Sequence, residues 1–481
     1  MIRKALFSGA LLGSVFFAST VAAQSQQDQL DARYDRALAA GYKALFLCSA
    51  IANAERSGVN RGVNSVVAWE LTGVYPEIDP IIRKLEHRVV RAKEGPISHV
   101  EVDWAEDMPP RYARASYKDG CRLAPIGVAP EPAGTDLPPE RALPEDFPRL
   151  SDGAPAFPPM MIFGTSNLSL RTEVDRAFDG TYGEGARTTA VVIQSKGRRY
   201  SRYVSPLNSD AKSFEDMIGG YSPRTPQRTW SVAKSIAATL VGVAVHKGQI
   251  DVNAPMLRSE WKDDARSQIS VDHLLRMASG RYTDTPGNRT DPLYAGGSTV
   301  EETATNWPLI RQPGTVFRYA NNDTLMAIKA ISDRFSDFDP EAFFISVGMK
   351  NTVAETDWAG DYILSSQVWT TAEDLADLGQ LHLQDGVWEG ERILPEGWVK
   401  YISAPSGPQP DGPFGYGAGW WLMNKSDGVP ADAFAAFGNR GQYVVVVPSK
   451  DIVIVRRGED PVGSRFDIAA FTKDVLASLE S

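Results

Sequence analysis

Ser231 and Lys234, in the run Trp230-Ser231-Val232-Ala233-Lys234-Ser235, are the residues of this chain whose types and spacing best suit covalent chemistry. They open an apolar stretch, Ile236 to Val245, that reads as a buried helix. Side chains three apart on a helix share a face, so a hydroxyl and an amine come within reach of each other. At a helix N-terminus the unpaired backbone N–H groups and the dipole favour negative charge. Burial disfavours the ammonium form and moves the amine toward a pKa at which it can accept a proton. A serine activated without histidine needs this arrangement.

The spacing alone is weak, because Ser-x-x-Lys occurs three times. Ser209 to Lys212 sits in a polar stretch and Ser259 to Lys262 among charges, so both read as solvated surface. Only Ser231 begins a long apolar helix. Even there, a capping serine followed by a solvated lysine is the simpler reading until other residues join it. Two groups do. Tyr319-Ala320-Asn321 follows the turn Pro313-Gly314, and Tyr319 is the only one of 16 tyrosines with asparagine two residues later. Its phenol could carry the serine proton to a leaving group, with the Lys234 cation favouring the phenolate. Asn321 could bond Lys234 or a substrate carbonyl. Gly438-Asn439-Arg440-Gly441-Gln442 enters a C-terminal hairpin, where glycine permits close backbone approach. The N–H groups of Ser231 and Gln442 could together form an oxyanion hole. A core tyrosine and a plain loop are the bland alternatives.

The elements that must position these groups are legible in outline. Thr188 to Gln194 and Arg199 to Val204 flank Ser195-Lys196-Gly197 as a hairpin, and Gln442 to Val447 with Ile452 to Arg456 form another. Helical patterns lie between and after them: Val271 to Met277, Thr371 to Gln384 and Phe466 to Leu479. Strands at both ends with helices between predict an α+β domain whose sheet joins its two ends. Upstream, Asp28 to Ala54 is patterned as an amphipathic helix and Ile78 to Val90 as another. Glu101 to Trp104 and Tyr112 to Tyr117 are strand-like around the turn Met108-Pro109-Pro110. Ten prolines between 125 and 159 mark a linker. The expected layout is a signal peptide over 1–23, a small N-terminal domain over 25–124, the linker over 125–159 and the main domain over 160–481.

Composition narrows the function. A net charge of −10 argues against a nucleic-acid partner. Arg3 and Lys4 precede an apolar run from Ala5 to Ala18, and Val21-Ala22-Ala23 offers a cleavage site, the layout of a secretory leader. An uncleaved anchor is the alternative. The leader predicts export to the periplasm, with no stable membrane insertion after its removal. In an oxidising compartment Cys48 and Cys121 are most simply a disulfide, two separate buried thiols being the other reading. With two cysteines and five scattered histidines, no metal site or other cofactor is expected.

Taken together, the segments Trp230–Ser235, Ile269–Gly280, Pro313–Asn321, Thr371–Gly379, Gly415–Gly419 and Gly438–Gln442 resemble the serine β-lactamase-like superfamily. That group holds class C β-lactamases, penicillin-binding proteins and 6-aminohexanoate-dimer hydrolase-type enzymes. The resemblance covers roughly residues 160–480. It implies a β-lactamase-like antiparallel sheet flanked by helices, with a helical subdomain and here an extra N-terminal domain. It makes Ser231 the nucleophile, Lys234 its proton acceptor and Tyr319 the second general acid/base. Asn321, Asn439, Arg440 and Gly441 become candidate substrate-binding residues. β-Lactamases and penicillin-binding proteins usually carry Lys-Thr-Gly where this chain has Asn439-Arg440-Gly441, which weakens the case for β-lactams unless Arg440 points inward to bind an anion. The leading expectation is an exported serine hydrolase acting on a small amide or ester through an acyl-enzyme. A β-lactamase or D,D-peptidase and a non-catalytic binding module are the alternatives.

Overall fold

The computed structural model describes residues 10–92, 95–116, 118–131, 167–204, 221–256, 258–282, 291–335 and 339–480, with side chains from residue 25 onward. The side chains of the expected leader, most of the proline-rich segment and the pair Ser209–Lys212 lie outside the described residues.

Seven antiparallel strands form the main sheet. Their spatial order is Gly415–Tyr416, Trp421–Leu422, Phe434–Gly438, Gln442–Val447, Ile452–Gly458, Thr188–Ser195 and Arg198–Tyr203. The late strand Ile452–Gly458 pairs with the early strand Thr188–Ser195, in register Ile454 opposite Ile193. The sheet therefore joins the two ends of the domain, as the hairpin signals predict. Gln442–Val447 and Ile452–Gly458 are almost wholly buried, and both faces are covered. One face packs on helix Ala372–Leu383 and, beside it, directly on the buried helix Val232–His246. The other face carries helices Leu168–Arg176 and Ile468–Glu480. Burial on both sides explains the continuous Val/Ile runs of these strands.

The N-terminal unit has a separate core cluster, completed by Trp230, Ala295 and Trp369 from the rest of the chain. Helix Ala10–Arg56 lies against a four-stranded antiparallel meander, His87–Arg91, Ile97–Val102, Arg111–Ser116 and Gly120–Leu123. Its stretch Ser25–Arg56 is long and apolar enough to cross a membrane, but 94% of its apolar window is buried inside the protein. The predicted helix over Ile78 to Val90 is not found. A short helix ends at Ile82, and His87–Arg91 is the edge strand of the meander. Apolar residues at Ile81, Ile82, Leu85, Val89 and Val90 satisfy a helical count, yet the chain extends because a neighbouring strand is there to pair with it.

Cys48, within the helix, is bonded to Cys121 on the last strand, with the Cα atoms 6.1 Å apart. The bridge closes a loop of 73 residues, worth about 4 kcal/mol on the chain-entropy model. The unit is joined to the main domain by buried polar contacts. Glu355 accepts from the backbone N–H of Cys121 at 2.9 Å and from the Trp369 indole at 3.1 Å. Burial pushes its carboxyl up to about 7. A Cβ on Gly41 would lie 2.0 Å from the Ala295 carbonyl, so helix and main domain touch backbone to backbone.

Candidate active site

Helix Val232–His246 is mostly apolar, and 13 of its residues, Lys234 among them, are buried. Thr229 is tied to the small strand beside it, its N–H donating to the Val368 carbonyl at 2.8 Å. Trp230 then takes a left-handed backbone, φ +50°. For a side-chain-bearing residue this costs about 1–2 kcal/mol and persists only where the surroundings enforce it. The turn delivers Ser231 to the start of the helix with its hydroxyl making no capping bond. The alternative of a capping serine is thereby set aside.

Lys234 is buried to 2% exposure. Its ammonium nitrogen donates to Ser231 Oγ at 3.0 Å, Asn321 Oδ1 at 2.6 Å and the Ser365 carbonyl at 2.8 Å. All three acceptors are neutral. Burial without a facing carboxylate lowers the amine from 10.5 to about 7. Tyr319, from the turn before helix Asn321–Lys329, is hydrogen-bonded to the Ser231 side chain, and its ring centroid lies 5.0 Å from Lys Nζ. The expectation that the lysine cation would favour a Tyr319 phenolate is corrected. Burial pushes the phenol up, well above its usual range, while the Ser231 bond only partly offsets that rise. The resting pair is a neutral phenol beside an amine that is readily neutral.

Asn321 is the first residue of its helix and spends its amide oxygen on Lys234 rather than facing outward. The loop 438–442 lies close by: a Cβ on Gly438 would sit 2.3 Å from the Thr229 carbonyl, so the strand end can reach the turn before Ser231 only as glycine. Asn439 is exposed and its side chain accepts from the Arg440 N–H. Gly441 is left-handed, φ +78°. The Gln442 side chain is buried against Gly458 and Arg457. Arg440 does not behave as the sequence suggests for an anion binder. Its guanidinium is buried against Glu459 at 2.7 Å and donates to the Trp69 and Thr72 carbonyls of the N-terminal unit. It turns toward the N-terminal unit, where the cation is already matched by a buried carboxylate.

Aromatic rings line one side of the site. Trp421 is half-buried, 5.4 Å from Tyr319 and stacked on Phe437 at 5.6 Å between centroids. Trp420 points the other way into the core, fully buried against His382 at 4.7 Å. Trp420 ends the bend at left-handed Gly419 and Trp421 begins the strand, so one tryptophan lines the candidate site and the other is packing. Sequence reasoning missed Ser365 and Tyr294. The Tyr294 hydroxyl bonds Ser365 Oγ at 2.6 Å, and the same serine's carbonyl receives Lys234. A backbone acceptor leaves no residue-type signal that could have revealed it. Among the described residues no group of three His, Cys, Asp or Glu side chains is placed to hold a metal ion.

A seven-stranded antiparallel sheet flanked by helices, with Ser-x-x-Lys at a buried helix start and Tyr-x-Asn against it, defines a serine hydrolase of the β-lactamase type. The β-lactamase family pattern matches residues 174–456, and the chain belongs to that family. It is 25% identical over 275 residues to 6-aminohexanoate-dimer hydrolase of Paenarthrobacter ureafaciens, covering 50% of this chain and 68% of that one. Its fold is similar to that of a provisionally assigned β-lactamase from Bacteroides dorei DSM 17855, with TM-score 0.51 and 16% identity over 66% of this chain and all of the other. A D-alanine carboxypeptidase of Burkholderia cenocepacia aligns with TM-score 0.47 and 18% identity, over 65% of this chain and 98% of its own.

Proposed function

We propose that this protein is an exported serine hydrolase that cleaves a small amide or ester through an acyl-enzyme. The observation that carries the reading is a serine hydroxyl held 3.0 Å from a buried amine whose pKa falls to about 7. In the proposed reaction Ser231 Oγ attacks the substrate carbonyl while its proton passes to the neutral Lys234 amine. The Ser231 and Gln442 N–H groups stabilise the oxyanion. Tyr319 gives its proton to the leaving amine or alcohol and is reprotonated from Lys234. Water then attacks the ester, losing its proton to the same pair, and Ser231 is regenerated. Export is supported by the leader-like N-terminus and the Cys48–Cys121 bridge.

The proposed substrate is a linear amide or ester rather than a β-lactam. Arg440, which stands where a carboxylate-binding lysine is usual, is matched by Glu459. The likeness to 6-aminohexanoate-dimer hydrolase points the same way. A β-lactamase or D,D-peptidase remains the second reading because the family contains such enzymes.

The test is a panel of esters, linear amides, a chromogenic β-lactam and a fluorophosphonate probe, run on wild type and Ser231→Ala. Hydrolysis of an ester or amide and labelling of wild type are expected. In Ser231→Ala both should vanish, activity falling by about 10⁴-fold or more, with the circular dichroism spectrum retained. Turnover of the β-lactam alone would move the assignment to the second reading. Absence of labelling in folded wild type would leave only a binding module.

A further inference from the structure

We propose that the N-terminal unit is a positioning element for the candidate nucleophile and its base, so that Phe46 and Tyr75 act on catalysis through Trp230. The inference rests on the reading of Ser231 and Lys234 given above, and concerns a unit that lies outside the matched family region, residues 174–456.

Trp230 carries the left-handed turn that presents Ser231, and its indole is not packed in the main domain's core. It is buried to 4% exposure in the core of the N-terminal unit. Phe46 of the long helix stands 5.9 Å from its ring and Tyr75 6.4 Å, between centroids. A strained backbone conformation holds only where packing over-determines it. Here the rings that supply the packing come from the added unit. Phe46 also reaches Trp369 at 6.0 Å, and Trp369 pairs with Arg228 on the strand that leads into the turn.

A second route ends at the lysine. The Arg228 guanidinium lies 4.3 Å from the Trp230 ring, 5.0 Å from Phe46 and 5.3 Å from Tyr294. It donates to Ser366 Oγ at 2.8 Å. Tyr294 bonds Ser365 at 2.6 Å, and the Ser365 carbonyl is one of the three acceptors that hold the Lys234 amine. The unit thus bears on the backbone before Ser231 and on the residues that aim Lys234. Neither Phe46 nor Tyr75 needs to touch substrate for this role.

The experiment measures the rate constant for fluorophosphonate labelling, and kcat and KM on whichever ester or amide wild type hydrolyses. Wild type, Ser231→Ala, Phe46→Ala, Phe46→Met and Tyr75→Ala are compared on the full chain, per folded molecule counted by near-ultraviolet circular dichroism. Phe46→Ala is expected to slow labelling and lower kcat by 10- to 100-fold, with KM within threefold. Phe46→Met, which refills the space, is expected to restore most of both. Labelling of folded Phe46→Ala at the wild-type rate would overturn the inference, as would equal loss in Phe46→Ala and Phe46→Met. If Phe46→Ala does not fold, Tyr75→Ala decides on the same readings, since Tyr75 is half-buried. A wild type that does not label, or a Ser231→Ala that does, would instead overturn the hydrolase reading.

Discussion

Lys234 and Arg440 are two buried cations drawn from motifs that the sequence marks for chemistry, at 2% and 5% exposure. Their surroundings make them opposites. Lys234 faces a hydroxyl, an amide oxygen and a backbone carbonyl. Nothing there compensates a full charge, and the amine falls to about 7. Arg440 faces the Glu459 carboxylate and three backbone carbonyls, and that carboxylate helps raise its pKa above the ordinary value despite burial. A buried cation left without a counter-charge is poised to exchange its proton; a paired one holds structure. Arginine is in any case unable to give up its proton near neutrality.

The comparison can be broken at its strongest point by Lys234→Met. Hydrolysis per folded molecule should fall by roughly 10³- to 10⁴-fold, with little change in the midpoint of chemical denaturation. A large loss of stability with activity retained would reverse the two roles. Arg440→Met should do the converse. Removing the salt-bridge partner of buried Glu459 costs about 3–5 kcal/mol, read as a lower denaturation midpoint, while the pH midpoint of the remaining activity stays put. The two tryptophans extend the same contrast. Trp420→Ala opens a core cavity and should cost about 3–5 kcal/mol. Trp421→Ala should mainly raise KM, by about tenfold, the effect of one lost apolar contact of about 1.4 kcal/mol.

The disulfide ranks next. The double variant Cys48→Ala/Cys121→Ala should lose about 2–4 kcal/mol, measurable by urea denaturation with and without reductant on wild type. Finally, kcat/KM should rise about tenfold per pH unit below a midpoint near 7 and level off above it, because in the proposed reaction only the neutral amine accepts the serine proton. The stability sign follows from the same shift. Folding lowers this amine from 10.5, so between those values the unfolded chain binds more protons. The group's contribution therefore becomes less favourable as pH falls from 10.5 to about 7 and is constant below. A profile without that midpoint would place the proton acceptor elsewhere.

Much of this was readable in the residues. The hairpin 188–203, the C-terminal hairpin and the helices after Thr371 and before Ser481 stand where period and turn chemistry put them. Ser-x-x-Lys and Tyr-x-Asn are each local and each stands at the start of a helix, but it is the packing of those two helices that brings Lys234 to Asn321, 87 residues away. The reading failed where the signal was not local. Residues 87–91 extend because a strand lies beside them, and Arg440 turns to a carboxylate nineteen residues away in sequence. Ser365 contributes a carbonyl, which every residue type possesses.

Sequence alone determined the chemistry on offer: which groups can attack, accept a proton or bridge as a disulfide, since these depend on residue type and helical spacing. Only the tertiary structure decided which buried cation would be left without a carboxylate, and which unit's rings would close over Trp230. Both depend on long-range neighbours, because desolvation and packing are set by everything that surrounds a group and not by the few residues on either side of it.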